Sequence, residues 1–308
     1  PICPFWGEHG VSHHHADAAY HAPFNEASMD SFLAGMRRYQ PRLVNIGGGE
    51  PLVYDHWSIV ADLARRHGYR VMLTTNGSFL EKNLDAIASK VDILQLSFTD
   101  PVEWRRGFRN PEWAESLKRH IATLKQRKDF EVYVNIAVSD AGYPEVESIA
   151  NLVLSTMSVD AFRIIHPMFL SPEVLAAHQA DLAEFGTKGE FWRGFTTVPK
   201  TVDTDGLVAA IARIQAQFPG KAHVFPELES SEVASYYNDS TYLAQRYRES
   251  CHAPWAQVNV VPNGDVWVCY DLKIGNIHTD DVEAIWNGPT VKRLRQRILD
   301  KGLFAGCR

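Results

Sequence analysis

Five short apolar runs rich in β-branched residues recur along the first 165 residues of the chain: LVNI at 43–46, RVMLTT at 70–75, DILQLS at 92–97, EVYVNIAV at 131–138 and AFRII at 161–165. Amphipathic helical patterns fill the gaps between them, over 28–39, 56–67, 80–90, 111–126 and 143–157. Strands separated by a helix's worth of chain pair in parallel, and near-continuous apolar strands mark a sheet covered by helices. The alternation therefore predicts an α/β fold built from βαβ units. The opening residues PICPFWGEHG read as the loop leaving a further strand upstream of Pro1, and both ends of the chain read as cut. After about residue 170 the rhythm breaks. Helices are expected over 173–186 and 204–218, with a short strand in GKAHVFPE that its proline ends. The stretch AQVNVVPNGDVWVCY at 256–270 reads as a hairpin, Asn263-Gly264 supplying a turn with positive φ, and a last helix is expected over 280–299. No internal repeat or low-complexity tract interrupts the pattern.

In a parallel sheet, ligands bind at the carboxyl ends of the strands. The first run ends there in VNIGGGEPL, residues 44–52. Successive glycines let backbone approach a ligand with no Cβ in the way. The pattern is neither the dinucleotide fingerprint, which needs a third spaced glycine, nor a phosphate loop, which needs Gly-Lys-Ser/Thr. Glu50 at this point repels phosphate and suits an ammonium or another donor-rich group. A tight βα turn with a solvated glutamate is the other reading of the same residues.

The four cysteines, Cys3, Cys251, Cys269 and Cys307, sit near turns and chain ends. Cys3 lies in the loop after the expected upstream strand, and Cys269 closes the hairpin that follows Cys251. Soft thiolates in such places are what iron–sulfur clusters use, although an isolated cysteine also serves as a small hydrophobe. A net charge of −6 argues against a nucleic-acid or anionic-membrane partner. No apolar run approaches the length of a transmembrane helix.

Taken in order, these motifs resemble a radical S-adenosylmethionine (SAM) enzyme with a C-terminal SPASM or Twitch auxiliary-cluster domain. Pro1-Ile2-Cys3 are similar to the tail of that family's C-x-x-x-C-x-aromatic-C cluster loop, with Ile2 in the aromatic place and two cysteines expected upstream. Gly48-Gly49-Glu50-Pro51 resembles the GGEP motif, whose backbone and glutamate hold the methionyl amine of SAM. Thr74-Thr75-Asn76-Gly77 resembles the TNG motif of the next strand. Ser97 stands at the place of a serine that meets the ribose or carboxylate of SAM, with Thr99 where the family more often has an acid. Asn135 and Arg163 lie at the matching places on the following strands. Cys251, Gly264 and Cys269 fit the SPASM opening C-x(9–15)-G-x-x-x-x-C, IGNIHTDDVEAIWNGPTVKRLRQRI resembles the GNI…IWN…LR segment, and Cys307 starts a further cysteine motif.

The resemblance implies a partial (β/α)6 TIM-like barrel over 1–195, a connecting helical region over 196–240 and a SPASM/Twitch domain over 241–308. It implies a 4Fe–4S cluster held by Cys3 and two upstream cysteines, one or more auxiliary clusters on Cys251, Cys269 and Cys307, and SAM held by Gly48, Gly49, Glu50, Asn76, Ser97, Asn135 and Arg163. It further implies reductive cleavage of SAM to a 5′-deoxyadenosyl radical that takes hydrogen from an unactivated C–H, in the cytoplasm, with an electron donor such as flavodoxin or ferredoxin. The expected substrate is a small polar natural-product intermediate, sugar- or aminocyclitol-like; the alternative is a ribosomal peptide. His166 and Asp271 are candidate catalytic residues. His13-His14-His15 with His21 read as a polar surface loop, Phe5 and Trp6 as core, and KRLRQR at 292–297 as one solvated helix face. Two readings outside the family use the same residues: a zinc-dependent α/β-barrel hydrolase and a non-catalytic scaffold.

Overall fold

The computed structural model describes residues 24–98, 111–138, 145–196, 202–247, 251–270 and 272–307. All five apolar runs are strands: β1 (Leu43–Ile46), β2 (Arg70–Thr75), β3 (Ile93–Phe98), β4 (Glu131–Ala137) and β5 (Ala161–Ile165). They lie side by side in chain order, every pair parallel. The crossovers carry α2 (His56–Arg66), α3 (Leu84–Lys90), α4 (Pro111–Leu124) and α5 (Val146–Thr156), so the α/β class holds.

The sheet does not finish near residue 195. Ala222–Phe225, the short strand expected in the connecting region, joins β5 in parallel as β6. It is reached through α7 (Thr204–Gln217), which follows α6 (Pro172–Ala183), and it stops before Pro226, which has no N–H for the ladder. The strands are also less uniformly apolar than they read. Val71, Leu73, Leu94, Leu96, Val134 and Ile164 are fully buried on one face, whereas Thr74, Gln95, Ser97, Tyr133, Asn135 and Arg163, at the alternate positions, are only half-buried. The period of two thus gives the sheet one apolar face and one polar face. At the amino ends of the strands, Asp92 accepts from Arg65, Arg127 and the Val71 N–H, which fixes the start of β3.

The chain divides into two compact units. Of the described residues, one unit holds the sheet and runs over 42–167 and 202–237; the other gathers 24–41, 168–196 and 238–307. In this second unit β7 (Asn259–Val260) and β8 (Asp265–Cys269) form the expected hairpin, with Gly264 at φ +83° in its turn. A third strand, β9 (Leu272–Asn276), pairs antiparallel with β8 and was not visible as a run. The single-turn α9 (Ala253–Ala256) precedes the hairpin, while β9 is followed by α10 (Val282–Asn287) and α11 (Pro289–Lys301). Its Gly275 leaves room for Ile285, where a Cβ would stand 2.8 Å from that side chain, and Asn276 donates to Asn263 O and Asp265 Oδ1, tying the turn. The GNI segment therefore has a packing reason.

One helix falls where sequence order did not suggest. The N-terminal helix α1 (Glu26–Met36) belongs to the second unit, where Phe32 and Met36 pack with Val266 and Ile285. The basic run on α11 is likewise not one solvated face: the Arg297 side chain is only 9% exposed, against Asp181 and Glu184.

Candidate functional site

At the carboxyl end of β1 the chain turns through Gly48 at φ +84° and Gly49 at φ +44°, conformations that L side chains rarely adopt. A Cβ on Gly48 would meet nothing within 4 Å, so the backbone there faces open space. Glu50 then caps a single 3-10 turn, Pro51–Val53, accepting from the Leu52 N–H at 3.1 Å. Its carboxylate also takes the Thr75 hydroxyl at 2.6 Å and the Asn76 N–H at 2.9 Å. Glu50 is therefore not a solvated turn residue. It ties the loop after β1 to the loop after β2. Of about four lone-pair positions on a carboxylate, three are used, and the one left is on Oε2. Thr75, for which the sequence carried no separate signal, is buried and also accepts from the Gly77 N–H. The Asn76 side chain accepts from the Ser78 N–H, closing its own turn.

Three of the expected SAM residues form one row. Ser97 on β3 pairs with Asn135 on β4, and Asn135 with Arg163 on β5, all on the polar face. The Asn135 Oδ1 atom is buried with no hydrogen-bond partner. Arg163 sends its guanidinium to Gln95 Oε1 at 3.1 Å and lies 4.3 Å over the Tyr133 ring. Gln95 donates to Thr74, and Thr74 to Asn45, so a polar chain runs from β5 to β1 across the face. The sequence carried a signal for these residues in the alternate polar positions of its strands. The open backbone at Gly48, the spare position on Glu50 and the orphaned Asn135 oxygen together fit a ligand with hydrogen-bonding groups at this end of the sheet.

His166, just after β5, is 2% exposed. Its Nδ1 stands 2.8 Å from the Tyr237 hydroxyl, on α8 (Ser230–Asn238), while Nε2 is buried without a partner. Burial pushes the imidazole down to about 4, so it is neutral near pH 7. Cys3, Asp271, the early histidines, Phe5, Trp6 and Thr99 lie outside the described residues.

In the second unit Cys251, Cys269 and Cys307 are thiols rather than disulfides. Cys269 ends β8, and Cys269 and Cys307 pack on the same apolar cluster. Burial pushes the Cys307 thiol up to about 11, and nearby Cys251 adds to the rise. A thiol so desolvated ionises when a cation stands beside it, and soft sulfur donors fit an iron–sulfur cluster. Among the described residues no three His, Cys, Asp or Glu side chains converge on a position for a single metal ion.

Comparison with known proteins bears on both units. Residues 251–308, which include all three of these cysteines, match SPASM, an iron-sulfur cluster-binding domain. The fold is similar to that of SuiB from Streptococcus suis. The structure of SuiB bound to the precursor peptide SuiA superposes with a TM-score of 0.59 at 14% identity, covering 92% of this chain and 64% of that one. SuiB bound to S-adenosylmethionine gives 0.59 at 13% identity, covering 92% and 64%. SuiB alone gives 0.59 at 13% identity, covering 88% and 61%. The chain thus spans less than two thirds of the length of the SuiB chains it matches, and at this identity the likeness is one of fold. No curated protein sequence matches the chain.

Proposed function

We propose that this chain is a radical SAM enzyme with a SPASM auxiliary-cluster domain, acting on a peptide. The observation that carries the class is a SPASM match over 251–308 on a chain whose other unit offers an open glycine turn, Glu50 and the Ser97–Asn135–Arg163 row at one end of a parallel sheet. When bound, the cluster and SAM supply one-electron cleavage and a radical able to take hydrogen from an unactivated C–H. Gly48, with Gly49 beside it in the same turn, leaves space for the methionyl end of SAM. Glu50, held by Thr75 and the Asn76 N–H, offers its remaining acceptor position to the ammonium. Asn135 offers its buried oxygen to a donor on the ligand. Arg163, braced on Gln95 and Tyr133, is a cation for a carboxylate at that end of the sheet. His166, neutral and buried, is a proton acceptor for a substrate that reaches its Nε2. Cys251, Cys269 and Cys307 hold the auxiliary cluster.

The leaning toward a sugar-like intermediate gives way to the peptide alternative, because SuiB, whose fold this chain shares, binds a precursor peptide. A cytoplasmic location and a flavodoxin- or ferredoxin-type donor belong to the same proposal, since a reducing compartment keeps cysteines available as thiolate ligands. Among the described residues no helix is long and apolar enough to cross a membrane. The test is to incubate the anaerobically reconstituted full-length protein with SAM, dithionite and the short peptides encoded beside its gene. A mass change in one peptide, read by mass spectrometry, supports the reading. Unchanged peptides alongside turnover of an aminocyclitol or sugar would return it to small metabolites.

A further inference from the structure

The SPASM match begins at residue 251, yet the loop that carries Cys307 is held by side chains from far upstream. His178 on α6 accepts the Gly306 N–H at its Nδ1, 2.9 Å away, and is fully buried. Gly306 lies so close under the ring that a Cβ there would stand 2.8 Å from His178 Nδ1. Accepting at Nδ1 makes the ring a neutral imidazole protonated at Nε2. One turn further along α6, Asp181 accepts the Ala305 N–H at 3.0 Å and faces Arg297 at 3.3 Å. Arg297 in turn donates to Gly302 O at 2.6 Å, where the loop leaves α11.

The same upstream segment reaches the second cysteine. Trp192, whose ring centroid is 4.0 Å from that of His178, donates from Nε1 to Tyr270 O at 3.3 Å, one residue past Cys269. Phe191 stacks on Tyr270 at 4.5 Å. Two consecutive backbone N–H groups before Cys307, and the carbonyl after Cys269, are thus claimed by residues 178–192. Groups that orient metal ligands through hydrogen bonds set a site's geometry as much as the ligands do.

We infer that His178 and Asp181 are positioning residues for the Cys307 loop, and that the cluster-bearing module therefore includes the segment from about residue 170 onward, well before the SPASM match. This rests on the proposed assignment of Cys307 as a cluster ligand, but the hold on the loop exists without the cluster.

Two readouts separate the hold from the assignment. The first is the alkylation rate of Cys307 in cofactor-free full-length protein, followed by peptide mass spectrometry. His178→Leu keeps the bulk and removes the acceptor, and should expose Cys307 roughly three- to tenfold more often, the loss of one ordinary hydrogen bond. His178→Asn restores an acceptor at nearly the same place and should return the rate toward wild type. An unchanged Cys307 rate in His178→Leu, an equal rise at Cys251, or His178→Asn behaving like His178→Leu would each overturn the inference. The second readout is iron and sulfide per chain after reconstitution, where His178→Leu should hold one cluster's worth less than wild type, and full retention would overturn the inference. A Cys307→Ala variant with wild-type iron content would instead remove the ligand assignment, leaving the alkylation result to decide the hold.

Discussion

Asn135 and Arg163 stand opposite one another in register on β4 and β5, yet the guanidinium turns to Gln95 and leaves the Asn135 oxygen buried without a partner. An unsatisfied buried acceptor costs about 1–3 kcal/mol. Replacing it with an apolar side chain of similar volume removes that cost. Asn135→Leu should therefore keep or raise the melting temperature of the cofactor-free protein while weakening SAM binding about tenfold, one lost hydrogen bond. Thermal unfolding and equilibrium SAM binding check the pair of effects. A destabilised variant with normal SAM affinity would make Asn135 a structural residue only.

Glu50 serves both the fold and the ligand. In Glu50→Gln the amide oxygen can still accept from Thr75 and Leu52, but the NH2 group meets the Asn76 N–H donor to donor. A hydrogen bond to a charged group contributes roughly 1.5–3 kcal/mol. SAM affinity should fall by about one to two powers of ten. Thr75→Val separates the two roles, since it loosens the hold on Glu50 and keeps the charge. It should cost stability with a smaller loss of SAM affinity than Glu50→Gln. Equal SAM losses in the two variants would mean that Glu50 acts only by joining the two loops.

His166 sets a pH dependence with a definite sign. Its folded value of about 4 lies below the ordinary 6.5, so the folded protein resists protonation that the unfolded chain accepts. Its contribution is complete above pH 6.5 and is lost as pH falls from there through about 4, a span worth about 3 kcal/mol. His166→Gln can still hydrogen-bond Tyr237 but does not titrate. Its melting temperature should fall less steeply than wild type between pH 7 and 4.5. Parallel curves would place the ring in a wetter setting.

The cysteine assignment predicts a metal balance. Cys269→Ala or Cys251→Ala should remove one cluster's worth of iron and sulfide from the reconstituted protein and leave its SAM affinity nearly unchanged. Wild-type iron in both variants would show that these thiols ligate nothing.

The strands of the sheet were legible because apolar, β-branched runs of four to seven residues need no tertiary context to be recognised. Ser97, Asn135 and Arg163 were legible as strand positions, and parallel pairing in register then set them in one row. What the sequence could not carry was where long side chains go. Arg163 has enough rotors to reach Gln95 two strands away, and nothing local predicts that choice. The place of α1 was hidden because chain order suggests a sheet helix, while Phe32 and Met36 find Val266 and Ile285 more than two hundred residues later. The link between His178 and Gly306 spans 128 residues and joins a histidine with no motif to a glycine with no positive φ, so no local signal marks it.

Whether this sheet presents SAM to a reducing cluster is decided by one assay. Full-length protein, reconstituted anaerobically with iron and sulfide, is mixed with SAM and dithionite, and 5′-deoxyadenosine is quantified by liquid chromatography and mass spectrometry. The expected result is a brown protein that forms 5′-deoxyadenosine, with formation falling sharply in Glu50→Gln at modest SAM concentration. An iron-loaded protein that binds SAM and forms none, or a colourless protein that binds zinc instead, would contradict it.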